Sequence, residues 1–250
     1  MARLEYKYYF PMDYLDELRR DIMPFLEYDH YSGLIQKKEY TVRSIYLDSP
    51  GMLTYREKDA GVMYRNKYRI RGYNLLSKDS LVFLEIKRKE NDFVSKNRAP
   101  LYYCDLERFI GTRDFSLILN SKEMEERKAD ARKFMYYFLL YNLKPAVIVT
   151  YEREAFECKY NSGLRITFDK NVRTRITNSY NKLYDDINMM PTFENHFVLE
   201  IKFHKIIPLW LPAVLKKYNT SRESVSKYAT SIDINSSNKF NHYINGGIGL

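Results

Sequence analysis

Two cysteines, Cys104 and Cys158, are all that the 250 residues contain. That is too few for a disulfide scaffold or a cysteine-based zinc site, so a reducing cytoplasm is the expected compartment. The four histidines show no metal-ligand spacing; His196 and His204 flank a strand and read as strand-end residues. There is no glycine-rich phosphate loop, because Gly51, Gly61, Gly111 and Gly163 stand singly and read as turn residues. No run approaches the ~18–20 apolar residues of a membrane span. The opening MARLEYKYYF has no apolar signal-peptide core. Ser44 and Ser226 have no evident base partner, which leaves no nucleophilic triad. Asp48, before Ser49-Pro50-Gly51, reads as a turn former. No low-complexity linker interrupts the chain. One domain over 1–235 is expected, with a loose C-terminal tail over 236–250.

What is present is apolar, aromatic and basic. At 45% hydrophobic the chain can build a large core. The net charge of +9, from 41 Lys and Arg against 32 Asp and Glu, favours anionic partners. The 24 tyrosines suit strand surfaces that are apolar at the base and wet at the tip. Helical spacing is confined to 11–26, 120–142 (with Asn120 and Glu123 as a capping pair and Met135, Phe138 and Leu139 on the apolar face), 208–218, interrupted at Pro212, and 221–228. Period-two alternation covers 4–10, 40–48, 63–73, 81–89, 146–154, 164–169 and 197–203. Seven or more strands with few helices and irregular connections predict an α+β fold with a largely antiparallel sheet.

The alternation sorts charge onto one face of each strand. Arg65, Lys67, Arg69 and Arg71 share a face, opposite Tyr64, Asn66, Tyr68 and Ile70. Glu85, Lys87 and Lys89 oppose Val82, Leu84 and Ile86, and Glu200 and Lys202 oppose Phe197, Leu199, Ile201 and Phe203. Arg165 and Asp169 oppose Leu164, Ile166 and Phe168. Leu-Glu-Ile-Lys occurs twice, at 84–87 and 199–202, and Glu5-Tyr6-Lys7 is a third Glu-x-Lys. Side chains two residues apart stand side by side on one strand face, so these are bands of cations with carboxylates among them. Cations suit phosphate oxygens, and carboxylates suit a divalent ion that bridges phosphates. Such a surface could be the wet face of an open sheet or the lining of a closed barrel; alternation alone does not separate the two.

The blocks RLEYKY (3–8), VRSIYLDSP (42–50), YREKDAG (55–61), RNKYRIR (65–71), FLEIKRK (83–89), PAVIVTYEREAF (145–156), LRITFD (164–169), VLEIKF (198–203) and SVSKY (224–228) resemble, in order, the VTC domain. That domain is the catalytic module of the vacuolar transporter chaperone complex, which makes polyphosphate, and is one of the triphosphate tunnel metalloenzymes. The resemblance runs from Arg3 to Tyr228. It implies a closed eight-stranded antiparallel β-barrel with flanking helices, whose tunnel holds a triphosphate. By the same resemblance, Lys7, Arg69, Arg71, Lys87, Arg153, Arg165 and Lys227 bind phosphate, and Glu200 binds metal. Lys202 and Glu85 sit on matching lumen faces and join the phosphate and metal sets. Arg69, Arg71, Lys87, Arg153, Arg165 and Glu200 would form the catalytic group. Arg3 departs from the superfamily, whose opening pattern is Glu-x-Glu-x-Lys. That removes one metal carboxylate and leans toward the polymerase branch. No sensor domain or membrane anchor of the eukaryotic complexes is visible in this stretch, so coupling to transport is not implied.

The implied activity is transfer of the γ-phosphate of ATP to a growing polyphosphate chain, with Mn²⁺ or Mg²⁺ as cofactor. ATP and inorganic polyphosphate would be the partners; neither nucleic acid nor a membrane span is expected, and partner proteins stay open. A triphosphatase of the same fold and a polyphosphate-binding module without turnover are the alternatives. A nucleic-acid-binding domain would need cations and stacking rings on an exposed face, and no such motif is visible.

Overall fold

The structure is a computed structural model that describes residues 3–91, 93–119, 124–160 and 163–245, with side chains described as far as 237. Ten strands form one antiparallel sheet: β1 (Arg3–Pro11), β2 (Leu26–Tyr28), β3 (Tyr40–Asp48), β4 (Tyr64–Tyr73), β5 (Leu81–Glu90), β6 (Phe93–Tyr102), β7 (Lys144–Cys158), β8 (Arg165–Ile176), β9 (Met190–Pro191) and β10 (His196–Phe203). Among the described residues seven α-helices accompany it: α1 (Leu15–Ile22), α2 (His30–Leu34), α3 (Leu53–Asp59), α4 (Leu106–Thr112), α5 (Met124–Leu140), α6 (Trp210–Lys216) and α7 (Lys227–Asn245). No helix among the described residues is long and apolar enough to cross a membrane.

Eight strands close into a ring in the order β7-β3-β4-β5-β6-β1-β10-β8, and β8 pairs back onto β7. The expected closed antiparallel β-barrel is therefore present. Among the described residues its shortest joint is β1 to β6, where Arg3↔Val94 and Leu4↔Phe93 pair. Closure leaves each strand one face outward and one inward. The outward apolar residues meet helices. Ile70, Leu84 and Ile86 pack with Phe134, Met135 and Phe138 of α5. Phe10, Phe168, Leu199 and Ile201 pack with Leu18 and Ile22 of α1 and Leu211 and Leu215 of α6. A third cluster lies on the inner side, where Tyr228 and Ile232 of α7 cover Val42, Tyr46, Val149 and Tyr151.

Local structure departs from expectation at several points. β6 has no strong apolar alternation: its outward Asn97 and the Arg98 N–H instead donate to Asp130 of α5. This polar anchor shortens the apolar stripe to Ala99 and Leu101, too little to reveal the strand. Residues 221–226 are not helical, because their backbone is spent elsewhere: Glu223 N–H bonds the Lys7 carbonyl, and the Val225 carbonyl accepts from Lys7 Nζ. α6 runs through Pro212, which sits in the first turn, where its missing N–H removes no intrahelical bond. Leu139 is exposed, so the apolar face of α5 is carried by Phe134, Met135 and Phe138. Asn120 and Glu123 lie outside the described residues. Asp48 accepts from the N–H groups of Ser49, Thr54 and Tyr55, as a turn-forming Asp should, and also from the hydroxyl of Tyr228.

Phe134 is fully buried between α5 and the outer face of the barrel. Phe134→Ala is expected to lower the unfolding free energy by about 3–5 kcal/mol, read from urea denaturation curves.

Candidate functional site

The inward faces enclose a cavity of about 1140 Å³. Sixteen Lys and Arg line it against four Glu, which leaves a large positive excess. On β4 the lumen face runs Arg65, Lys67, Arg69, Arg71, Tyr73, a length of about 26 Å at ~3.3 Å per residue. β5 lies antiparallel beside it, with Lys89 opposite Arg65, Lys87 opposite Lys67, Glu85 opposite Arg69 and Phe83 opposite Arg71. This register therefore joins two alternating strands into one charged wall.

Carboxylates divide this lumen into three nodes. Glu85, only 2% exposed, accepts from Arg69 at 2.7 Å, lies 3.2 Å from Arg98 and is 3.9 Å from Arg71. Burial alone would raise its pKa, but Arg69, Arg71 and Arg98 together hold it well below the usual carboxylate range. The second node joins β1 and β10. Both oxygens of Glu5 accept from Lys87, at 2.8 and 2.9 Å, and Lys7 is 3.4 Å away. Glu200 pairs with Lys202 at 2.7 Å and lies 4.0 Å from Lys87 and 3.4 Å from Arg153. Burial works against the charge on Glu200, yet Lys202, Lys87, Lys7 and Arg153 hold its pKa well below normal. In the third node Arg153 grips Asp169 through two bonds of 2.6 and 2.8 Å, and Lys227 pairs with the same carboxylate at 2.5 Å. Burial opposes the Asp169 charge, but Arg153 and Lys227 lower its pKa to about 2.

All ten residues expected in the site line this cavity. Arg71 donates to Ser44 Oγ at 3.1 Å and to the Tyr151 hydroxyl at 3.3 Å. Arg165 stands nearer the rim, half-exposed, and pairs with Asp29 at the start of α2. Lys227 begins α7 and reaches inward, 4.9 Å from the Tyr151 ring. The structure does not bring Glu85 to Glu200: arginines hold Glu85, and the carboxylate that shares Lys87 and Lys202 with Glu200 is Glu5. Among the described residues no three His, Cys, Asp or Glu converge as a complete metal cage. A divalent ion that arrives on phosphate oxygens needs only one or two carboxylates, and Glu200 with Glu5 meets that requirement.

Several lumen residues were not singled out from the sequence. Glu5, Lys67 and Asp169 stood in the alternating faces without a role. Lys96 and Arg98 were missed because β6 was missed. Tyr46 and Tyr151 look like strand tyrosines, and only the fold turns them inward, where Tyr46 receives a bond from Arg69 at 3.1 Å. Ser226 accepts from Lys67 at 2.7 Å. His196, by contrast, stacks on Tyr9 at 4.3 Å, as a strand-end residue.

Burial and neighbouring cations disfavour the charge on some lumen ammonium groups. Lys87 is pushed down to about 8, first by burial and then by Lys7 and Lys202, against the pull of Glu5 and Glu200. Lys96 also falls to about 8, chiefly through burial. Burial followed by Lys7, Lys87 and Arg65 takes Lys67 well below the usual lysine value. An entering phosphate raises all three, so binding draws in protons and favours the low-pH form. Tripolyphosphate affinity is expected to fall as pH rises from 7 to 9. Calorimetry in buffers of different ionisation enthalpy is expected to show net proton uptake.

The model of the VTC domain matches residues 2–235. The structure is similar to that of the PH1819 protein from Pyrococcus horikoshii OT3, at 14% identity and a TM-score of 0.43, covering 90% of this chain and 96% of that one. It is also similar to a candidate adenylate cyclase from Bacillus halodurans, at 9% identity and a TM-score of 0.47, covering 90% and 95% of the two chains. The Mimivirus capping enzyme triphosphatase is similar at 12% identity and a TM-score of 0.31, covering 86% and 88%. No curated protein matches the sequence.

Proposed function

The chain belongs to the VTC domain family of the triphosphate tunnel metalloenzymes, and from that premise we propose that it is a polyphosphate polymerase: it transfers the γ-phosphate of ATP to a growing inorganic polyphosphate chain inside the lumen. The observation that carries the reading is the lumen's charge. Sixteen cations against four glutamates, along about 26 Å of enclosed wall, suit a long polyanion better than a single small substrate.

In this reading Arg69, Arg71, Arg153, Arg165, Lys7, Lys87, Lys202 and Lys227 bind the phosphate oxygens. Each such charge-assisted bond contributes roughly 1.5–3 kcal/mol. Their second task is to neutralise charge on the oxygens of the transferring group. A terminal oxygen of the acceptor chain forms a bond to the γ-phosphorus while the bond to the β–γ bridging oxygen breaks. ADP then leaves with that electron pair. The acceptor oxygen is already anionic, so no side chain need take a proton, and phosphoryl transfer asks mainly for alignment and charge neutralisation. When bound, Mn²⁺ or Mg²⁺ would be held by Glu200, with Glu5 beside it, and would neutralise further phosphate charge. Enclosure restricts water, the competing acceptor. The product lies in the same cationic lumen as the substrate, so it can be extended without release.

Purified protein with ATP and Mn²⁺ or Mg²⁺ is expected to produce a ladder of polyphosphate on a gel. Arg71→Ala is expected to reduce synthesis at least tenfold, since it removes one or more bonds of roughly 1.5–3 kcal/mol. Release of free phosphate alone would identify a triphosphatase, and tight polyphosphate binding without turnover a binding module; either result overturns the polymerase reading.

A further inference from the structure

The two ends of the lumen are chemically unlike. At the Arg65 end of β4 the lining includes Arg65, Lys89, Lys58, Arg3 and Val94, and no aromatic ring is among the described lining residues there. At the Tyr73 end, three rings turn into the lumen. Tyr73 lies 6.0 Å from Tyr40 and 5.9 Å from Phe83, edge to face in both cases. The Arg98 guanidinium lies 3.5 Å from the Phe83 ring centre and donates to the Tyr73 hydroxyl at 3.1 Å. Glu85, 3.2 Å away, helps hold its plane. Tyr31 and Ile35, on and just after α2, line the same end.

These rings are out of place if the lumen serves inorganic phosphate alone. They are only half-buried and they line a mostly ionic cavity. Apolar surface left wet in this way is unfavourable until something covers it. The group that fits is planar, uncharged and rich in π electrons, and it sits at one end of a phosphate chain. A guanidinium stacked on an aromatic ring also presents its second face to such a group.

We propose that the Tyr73 end of the lumen is a nucleobase subsite, with Tyr40, Tyr73, Phe83 and the stacked Arg98 as its platform. The base of a nucleoside triphosphate stacks there, and the phosphates run inward past Arg71 and Arg69 toward Lys67. The opposite end, which has cations and no ring among its described lining residues, takes phosphate without a base. This rests on the reading of the lumen as a site for ATP and adds where the donor's base is held. The platform recognises a π-face rather than a hydrogen-bonding edge, so it distinguishes nucleoside triphosphates from inorganic triphosphate more sharply than one base from another.

The test compares ATP with inorganic tripolyphosphate by calorimetry, on wild-type protein and on Tyr73→Leu, Phe83→Leu and the double variant. The double variant is expected to bind ATP roughly tenfold more weakly, in line with the loss of base–aromatic stacking. Its affinity for tripolyphosphate is expected to be unchanged, which also shows that the barrel is folded. Equal losses for both ligands, or no loss for ATP, overturn the subsite while leaving the phosphate lumen intact. A wild-type protein that binds neither ligand overturns the lumen reading itself.

Discussion

Sixteen cationic side chains share one cavity, and their mutual repulsion is what the structure has to contain. At separations of 4 Å two like charges repel by about 4 kcal/mol even at an effective dielectric of 20. The carboxylates make the arrangement tolerable. Glu85 sits among Arg69, Arg71 and Arg98, Glu5 and Glu200 among Lys7, Lys87, Lys202 and Arg153, and Asp169 between Arg153 and Lys227. Each carboxylate is held well ionised by the cations round it, although burial opposes the charge. Four such groups offset only part of the excess. The lumen therefore keeps a net positive charge.

The outer faces make that tension affordable. Most lumen strands carry charges on the inner side and a stripe of apolar residues on the outer. The stripes bury against α1, α5 and α6 in two large cores. Burial there offsets the cost of assembling the charges, since full burial of each large apolar side chain stabilises by about 1.5–3 kcal/mol. α7 has a different place. Its Tyr228 and Ile232 fill the inner side of β3 and β7, while Lys227, one residue earlier, enters the ionic network. A single helix start thus joins an apolar plug to the charged lumen.

Much of this was legible in the chain. Period two showed the strands and placed Arg65, Lys67, Arg69 and Arg71 on one face, because a strand allows no other arrangement of successive side chains. The pairing of Glu with Lys two residues on was equally plain, at 5–7, 85–87 and 200–202. β6 was not legible, because its outward face is apolar only at Ala99 and Leu101, and Asn97 and the Arg98 N–H are anchored by Asp130 of α5, 32 residues beyond Arg98. The non-helical course of 221–226 was hidden for the same reason: its backbone bonds to Lys7, more than 200 residues away.

The amino-acid order by itself determined which side chains share a face, since that depends only on the two-residue repeat of a strand. It could not determine that the faces close on one another, because closure rests on the pairing of β7 with β8 and on the narrow joint of β1 with β6. Nor could it say which carboxylate meets which cation. Glu5 reaches Lys87 across 82 residues, and Lys227 reaches Asp169 across the lumen. Those partners are fixed by strand order and register: β1 pairs with β10, Glu5 opposite Lys202 and Lys7 opposite Glu200, which leaves Glu5, and not Glu85, beside Glu200.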